Sequence, residues 1–194
     1  MLLSTTSVAV AQTAAQTCGD EKASPDQTIS ACAQLLKSGS LTGNNLAVAY
    51  NNRGVAYLEK RQLDEAIADF TQAVRADPNF VQAYLDRAVA YVRAGQADLA
   101  IADYTQALRV DPKLAEAYYN RGLVNQNRGR DDLAIADYTQ AVRLDPANAI
   151  AYYYRGLAYQ RRGQNDLATS DFTQALRINP NLASARAALD RLTH

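Results

Sequence analysis

Pro78, Pro112, Pro146 and Pro180 stand 34 residues apart, and nearly the same phrase leads into each: IADFTQAVRADP, IADYTQALRVDP, IADYTQAVRLDP and SDFTQALRINP. A unit this short cannot bury its own apolar face, so a chain that repeats it must stack the copies, each touching its neighbours. The period therefore predicts a quasi-one-dimensional array whose activity lies on the surface that the stack creates. Binding is the kind of activity such a surface supports.

Each unit carries two apolar stripes of helical spacing. In residues 47–80 these hold Tyr50, Gly54 and Tyr57, then Ala66, Phe70 and Ala73. The second helix opens near an acid (Asp64, Asp98, Asp132, Asp166) and closes near a base (Arg75, Arg109, Arg143, Arg177), as the helix dipole favours. A further series, Arg53, Arg87, Arg121 and Arg155, is matched in every unit by Asp69, Asp103, Asp137 and Asp171. Equal numbers in register predict Arg–Asp pairing within or between units rather than a phosphate-binding ladder.

The spacing of small, aromatic and proline positions resembles the tetratricopeptide repeat, a helix-turn-helix of 34 residues, over 47–80, 81–114, 115–148 and 149–182. The resemblance implies an all-α fold, a right-handed α-solenoid of four such repeats with an N-terminal half-repeat cap and a C-terminal capping helix. Two positions depart from the pattern: Ala88 stands at the usual glycine, and Asn125 at an aromatic site, where it needs a hydrogen-bond partner or water.

The resemblance also implies that the first helix of each repeat, helix A, presents a concave face to an extended peptide or a partner helix. Its candidate positions are Asn51 and Asn52 in the first repeat and Leu85 and Asp86 in the second. Tyr119, Asn120 and Leu123 follow in the third, and Tyr153, Tyr154 and Leu157 in the fourth. Amides can donate to and accept from a peptide backbone, and Leu and Tyr offer area that an apolar anchor can bury. Some members of the family clamp a terminal acidic tail with basic residues on this helix. The matching positions here, Asn51, Val55, Asp86, Glu116 and Asn120, or Leu85, Val89, Asn120, Ile150 and Tyr154, hold no Lys or Arg, which disfavours such a ligand.

Residues 1–17 read as a signal peptide or disordered head: residues 2–17 are uncharged and contain the small-x-small pattern Ala9-Val10-Ala11. Residues 18–46 read as a cap with a degenerate helix B, because Asp26, Ile29, Gln34 and Lys37 align with Asp64, Ile67, Gln72 and Arg75. Cys18 and Cys32, the only cysteines, fit a disulfide in an oxidising compartment; the alternatives are two unrelated thiols, or a lipid anchor at Cys18. Residues 38–45 read as a linker, and 183–194 as a solvating terminal helix. Together these features predict a periplasmic or secreted protein, with the cytoplasm as the alternative.

Lys+Arg and Asp+Glu number 20 each, so no global field draws the chain to nucleic acid, and no run of about 18 apolar residues predicts a membrane span. The sole histidine is His194, and zinc-type spacing, Gly-rich phosphate loops and dinucleotide fingerprints are absent, so catalytic residues, metals and cofactors are not expected. The sequence predicts a non-enzymatic scaffold whose partner is another protein or peptide. The alternative is a module that associates with itself.

Overall fold

The computed structural model describes residues 13–193; residues 1–12 of the signal peptide or head read over 1–17, and His194, lie outside the described residues. The chain divides in sequence into two compact units, residues 1–103 and 104–194. The described part of the first holds helical residues 13–18, α1 (Pro25–Lys37), α2 (Gly43–Glu59), α3 (Leu63–Ala76), α4 (Val81–Arg93) and the start of α5 (Ala97–Val110). The second continues with α6 (Ala115–Asn127), α7 (Asp131–Leu144), α8 (Ala149–Arg161), α9 (Asn165–Ile178) and α10 (Ala183–Thr193). Among the described residues there is no strand. Helices α2, α4, α6 and α8 are the A helices of the four repeats, and α3, α5, α7 and α9 the B helices.

The turn from A to B is fixed by backbone hydrogen bonds at the end of helix A. In the third repeat Arg130 N–H reaches the Asn125 carbonyl at 2.9 Å and Gly129 N–H reaches Gln126 at 2.9 Å, the paired pattern that closes a helix on a left-handed residue. That residue is Gly95, Gly129 or Gly163, with φ near +71°, in three repeats. In the first repeat it is Arg61, at φ 60°, a position where a side chain is disfavoured.

Packing follows the small and aromatic pattern. Ala66, Ala73, Ala134, Ala168 and Ala175 are fully buried, as are Phe70, Tyr138 and Phe172. A Cβ added to Gly54 would meet Phe70 Cε1 at 2.7 Å, and one on Gly156 would meet Phe172 Cε1 at 2.6 Å, so glycine there permits the approach of A to B. The other tyrosines of helix A, among them Tyr50, Tyr84, Tyr118 and Tyr152, are half-buried. They border the core rather than fill it.

The leading segment differs from expectation in extent. Residues 13–18 are helical and Ala14 is buried against Cys18, Ala31, Cys32 and Ala49, so the head ends before residue 17 and the cap is a helical hairpin rather than a lone helix B. Cys18 and Cys32 are joined, with Cα atoms 4.9 Å apart, and the bond replaces the aromatic that fills this space in later repeats. Helix α1 starts on Pro25 with a capping box: the Gln27 N–H donates to Ser24 Oγ and the Ser24 N–H to Gln27 Oε1. The linker is also shorter than the sequence implies, because α2 gains a first turn at Gly43 that Asn44 ties to Asp77 Oδ2 at 3.1 Å. At the other end Ala188 of α10 covers Ala168 and Phe172, which closes the last core.

Candidate functional site

The Arg–Asp series resolves into a structural ladder. Arg53, Arg87 and Arg155 each grip the Asp sixteen residues on through Nε and Nη2, with distances of 2.7–2.8 Å, and Arg121 grips Asp137 in the same way. The pairs therefore lie within units. The remaining guanidinium nitrogen reaches back to a threonine of the preceding B helix: Arg87 to Thr71 at 3.1 Å, Arg121 to Thr105 at 3.0 Å and Arg155 to Thr139 at 3.3 Å. The guanidinium of Arg155 also lies 5.5 Å and 5.8 Å from the rings of Tyr152 and Tyr159. Burial alone would lower the pKa of Arg87 and Arg155, but the hydrogen bonds and charges of Asp103 and Asp171 outweigh it and raise both. These cations serve packing and are spent on it.

Asn125 finds its partner in the same ladder: its amide donates to Asp137 Oδ2 at 3.1 Å, where other repeats place an aromatic beside the arginine. Its Oδ1 remains without a partner. Gln126, the next residue on α6, is buried too; it accepts from the Tyr138 hydroxyl at 2.8 Å and donates to the Tyr154 carbonyl. The third repeat thus buries a polar cluster of Asn125, Gln126 and Tyr138. The signal was present in sequence as the coincidence of Asn125, Gln126 and Tyr138 in one unit.

In the first unit the candidate residues are largely engaged within the chain. Asn51 is buried and donates to Asp86 Oδ2 at 2.9 Å, while Gln82 donates to Asp86 Oδ1 at 2.9 Å, so Asp86 locks α2 to α4. Asn51 Oδ1 is left buried and unpaired. Asn52 donates to the Cys18 carbonyl at 2.9 Å, which tethers the cap hairpin to α2. Leu85 is half-buried on α4.

In the second unit the candidates gather. Tyr119, Asn120 and Leu123 on α6 and Tyr153, Tyr154 and Leu157 on α8 are all half-buried. The rings of Tyr119 and Tyr154 meet edge to face at 5.9 Å, those of Tyr153 and Tyr154 at 5.3 Å, and Tyr153 approaches Phe172 at 5.9 Å. One side of this layer rests on the core: Tyr119, Leu123 and Tyr154 lie against Ala134, Tyr138 and Ala158, and Tyr153 and Leu157 against Phe172 and Ala188. The hydroxyls of Tyr119, Tyr153 and Tyr154 and the amide of Asn120 make no hydrogen bond to other described residues. Desolvation, and the proximity of Tyr154, push the Tyr119 phenol up to about 12; burial raises that of Tyr138 further. Both are neutral donors at physiological pH.

Stacked helix hairpins that bury their ladder and leave helix-A residues uncommitted define a protein-interaction scaffold. The chain belongs to the tetratricopeptide-repeat family: the family model described as "Tetratricopeptide repeat" matches residues 47–80 and 149–182, and the one described as "TPR repeat" matches 90–129 and 127–163. Among solved structures, a crystal structure of MamA protein is 26% identical, covering 90% of this chain and 94% of that one with a TM-score of 0.78. YrrB, described as a TPR protein with an unusual peptide-binding site, is 23% identical, covering 84% and 82% with a TM-score of 0.72. No curated protein matches. Repeat proteins of this family are generally scaffolds rather than enzymes. Among the described residues no helix is long and apolar enough to cross a membrane, and no cluster of three metal-binding side chains occurs.

Proposed function

We propose that the chain is an adaptor that holds a peptide or partner helix against the helix-A face of its second unit. The observation that carries this reading is the aromatic layer of Tyr119, Tyr153 and Tyr154, whose rings are rigidly packed while their hydroxyls are unused within the chain. Such side chains bury large area at low entropic cost and can hydrogen-bond a peptide backbone at the same time. Asn120 adds a free amide beside them. The peptide-binding description of YrrB agrees with this use of the fold, although at 23% identity it speaks for the fold alone. An exported location, periplasmic or secreted, is part of the proposal; it is supported by the Cys18–Cys32 bond and by the uncharged small-residue head.

The test is capture of partners from envelope extracts by the wild-type chain and by Tyr119→Ala/Tyr153→Ala. Truncating two anchors of this kind is expected to weaken binding by at least ~30-fold, about 2 kcal/mol, with helix content retained. Undiminished capture with loss of self-association would reject the groove in favour of the self-associating module. The intact mass of the native protein tests export: a full-length, reduced product would remove that part of the proposal.

A further inference from the structure

The hairpin that caps the first repeat also builds a cavity. Between the segment that follows Cys18 and the exposed side of α2 lies a cleft of about 310 Å³, at the small end of ligand-pocket sizes. Val55, Ala56, Ala23 and Pro25 supply its apolar surface, and the carboxylates of Asp20, Glu21 and Glu59 supply its charge. Asn52, which donates to the Cys18 carbonyl, lines the same cleft and keeps its own carbonyl oxygen as an acceptor. Of the nearby cations, Lys60 is paired with Asp26, and Lys22 stands outside the lining while its backbone N–H donates to Asp20 Oδ1 at 2.9 Å. The surrounding field has the same sign, since residues 1–103 carry 8 Lys+Arg against 11 Asp+Glu.

We infer that this cleft is a second recognition subsite, taking a basic segment of a partner protein that inserts an apolar side chain flanked by Lys or Arg. An apolar floor of this size fits one aliphatic side chain, and the carboxylates on either side favour cationic neighbours while repelling an acidic tail. Asn52, Val55 and Glu59 lie on helix A, so the subsite rests on the reading of that helix as the binding element; it shares no residue with the tyrosine layer of the second unit. The disulfide holds Cys18, and with it the wall of the cleft.

The experiment measures fluorescence anisotropy of two labelled peptides, Gly-Arg-Leu-Arg-Gly and Gly-Glu-Leu-Glu-Gly, on the oxidised full chain at low salt. Saturable binding of the first and none of the second is expected. Glu21→Gln/Glu59→Gln should weaken it by about three- to tenfold, as two partly exposed charge contacts would. Glu65→Gln on α3, which changes net charge away from the cleft, and Tyr153→Ala should leave it unchanged, so that failure of this subsite and failure of the tyrosine surface are separable. Reduction of the disulfide should abolish binding while the repeats remain helical. Equal affinity for both peptides, indifference to the double substitution, binding that survives reduction, or a concentration-dependent dimer that excludes the peptide would each overturn the inference.

Discussion

Replacing Asp171 with Ala tests whether the ladder holds the repeats together through charge or merely through shape. The substitution removes the carboxylate that accepts two 2.8 Å hydrogen bonds from Arg155, in a pair whose side chains are 6% and 15% exposed. An orphaned, fully buried charge costs about 3–5 kcal/mol. Arg155 keeps Thr139 and the faces of Tyr152 and Tyr159, and its residual exposure admits water, so the expected loss is about 2–3 kcal/mol. Urea denaturation followed by circular dichroism measures it, and hydrogen exchange should place the lost protection in α8 and α9. The decisive variant is Asp171→Ala/Arg155→Met, which removes the stranded charge and keeps an apolar stem; it should recover at least half of the loss. A double variant no more stable than the single would show that the carboxylate acts by filling space, and the electrostatic account would fall.

Arg61→Gly should stabilise the first repeat by about 0.5–1 kcal/mol, because glycine relieves the left-handed strain and returns only part of the gain as unfolded-state entropy; an unchanged denaturation midpoint would refute it. Tyr119 gives a pH prediction. Its phenol keeps its proton up to about 12 in the folded chain but loses it near 10 when unfolded, so stability should fall as pH rises above 10. Ultraviolet titration of the wild type against Tyr119→Phe checks the sign: the difference spectrum should show a phenolate appearing near pH 12, and one appearing near 10 would contradict the desolvation.

Much of this was legible because repetition supplies its own alignment. Register alone placed the A and B helices, the buried alanines and the Arg–Asp pairs, since each signal occurs four times. The locks that use a position once were not legible. Asn51, Asn52 and Asp86 look like free polar groups on a binding face, and only three dimensions show them tied to each other's helices and to Cys18. Gln126 is likewise held inside by a side-chain partner from the next helix, the Tyr138 hydroxyl, which donates to it at 2.8 Å. The start of the cap was also hidden, because residues 13–17 carry no charge or turn signal to mark where a helix begins.

The reach of Arg87, Arg121 and Arg155 back to the threonine of the preceding B helix has a consequence for how such a chain can grow. Every complete unit offers a threonine forward and sends an arginine backward, so a duplicated unit finds both of its fastenings already in place wherever it is inserted. The first repeat is the exception: Ala33 aligns with Thr71, and there the join is made by the Asn52 bridge to a disulfide-closed hairpin. Lengthening by whole units is therefore open along the array and closed at its head, where the fastening is unique and cannot be copied without copying the cap.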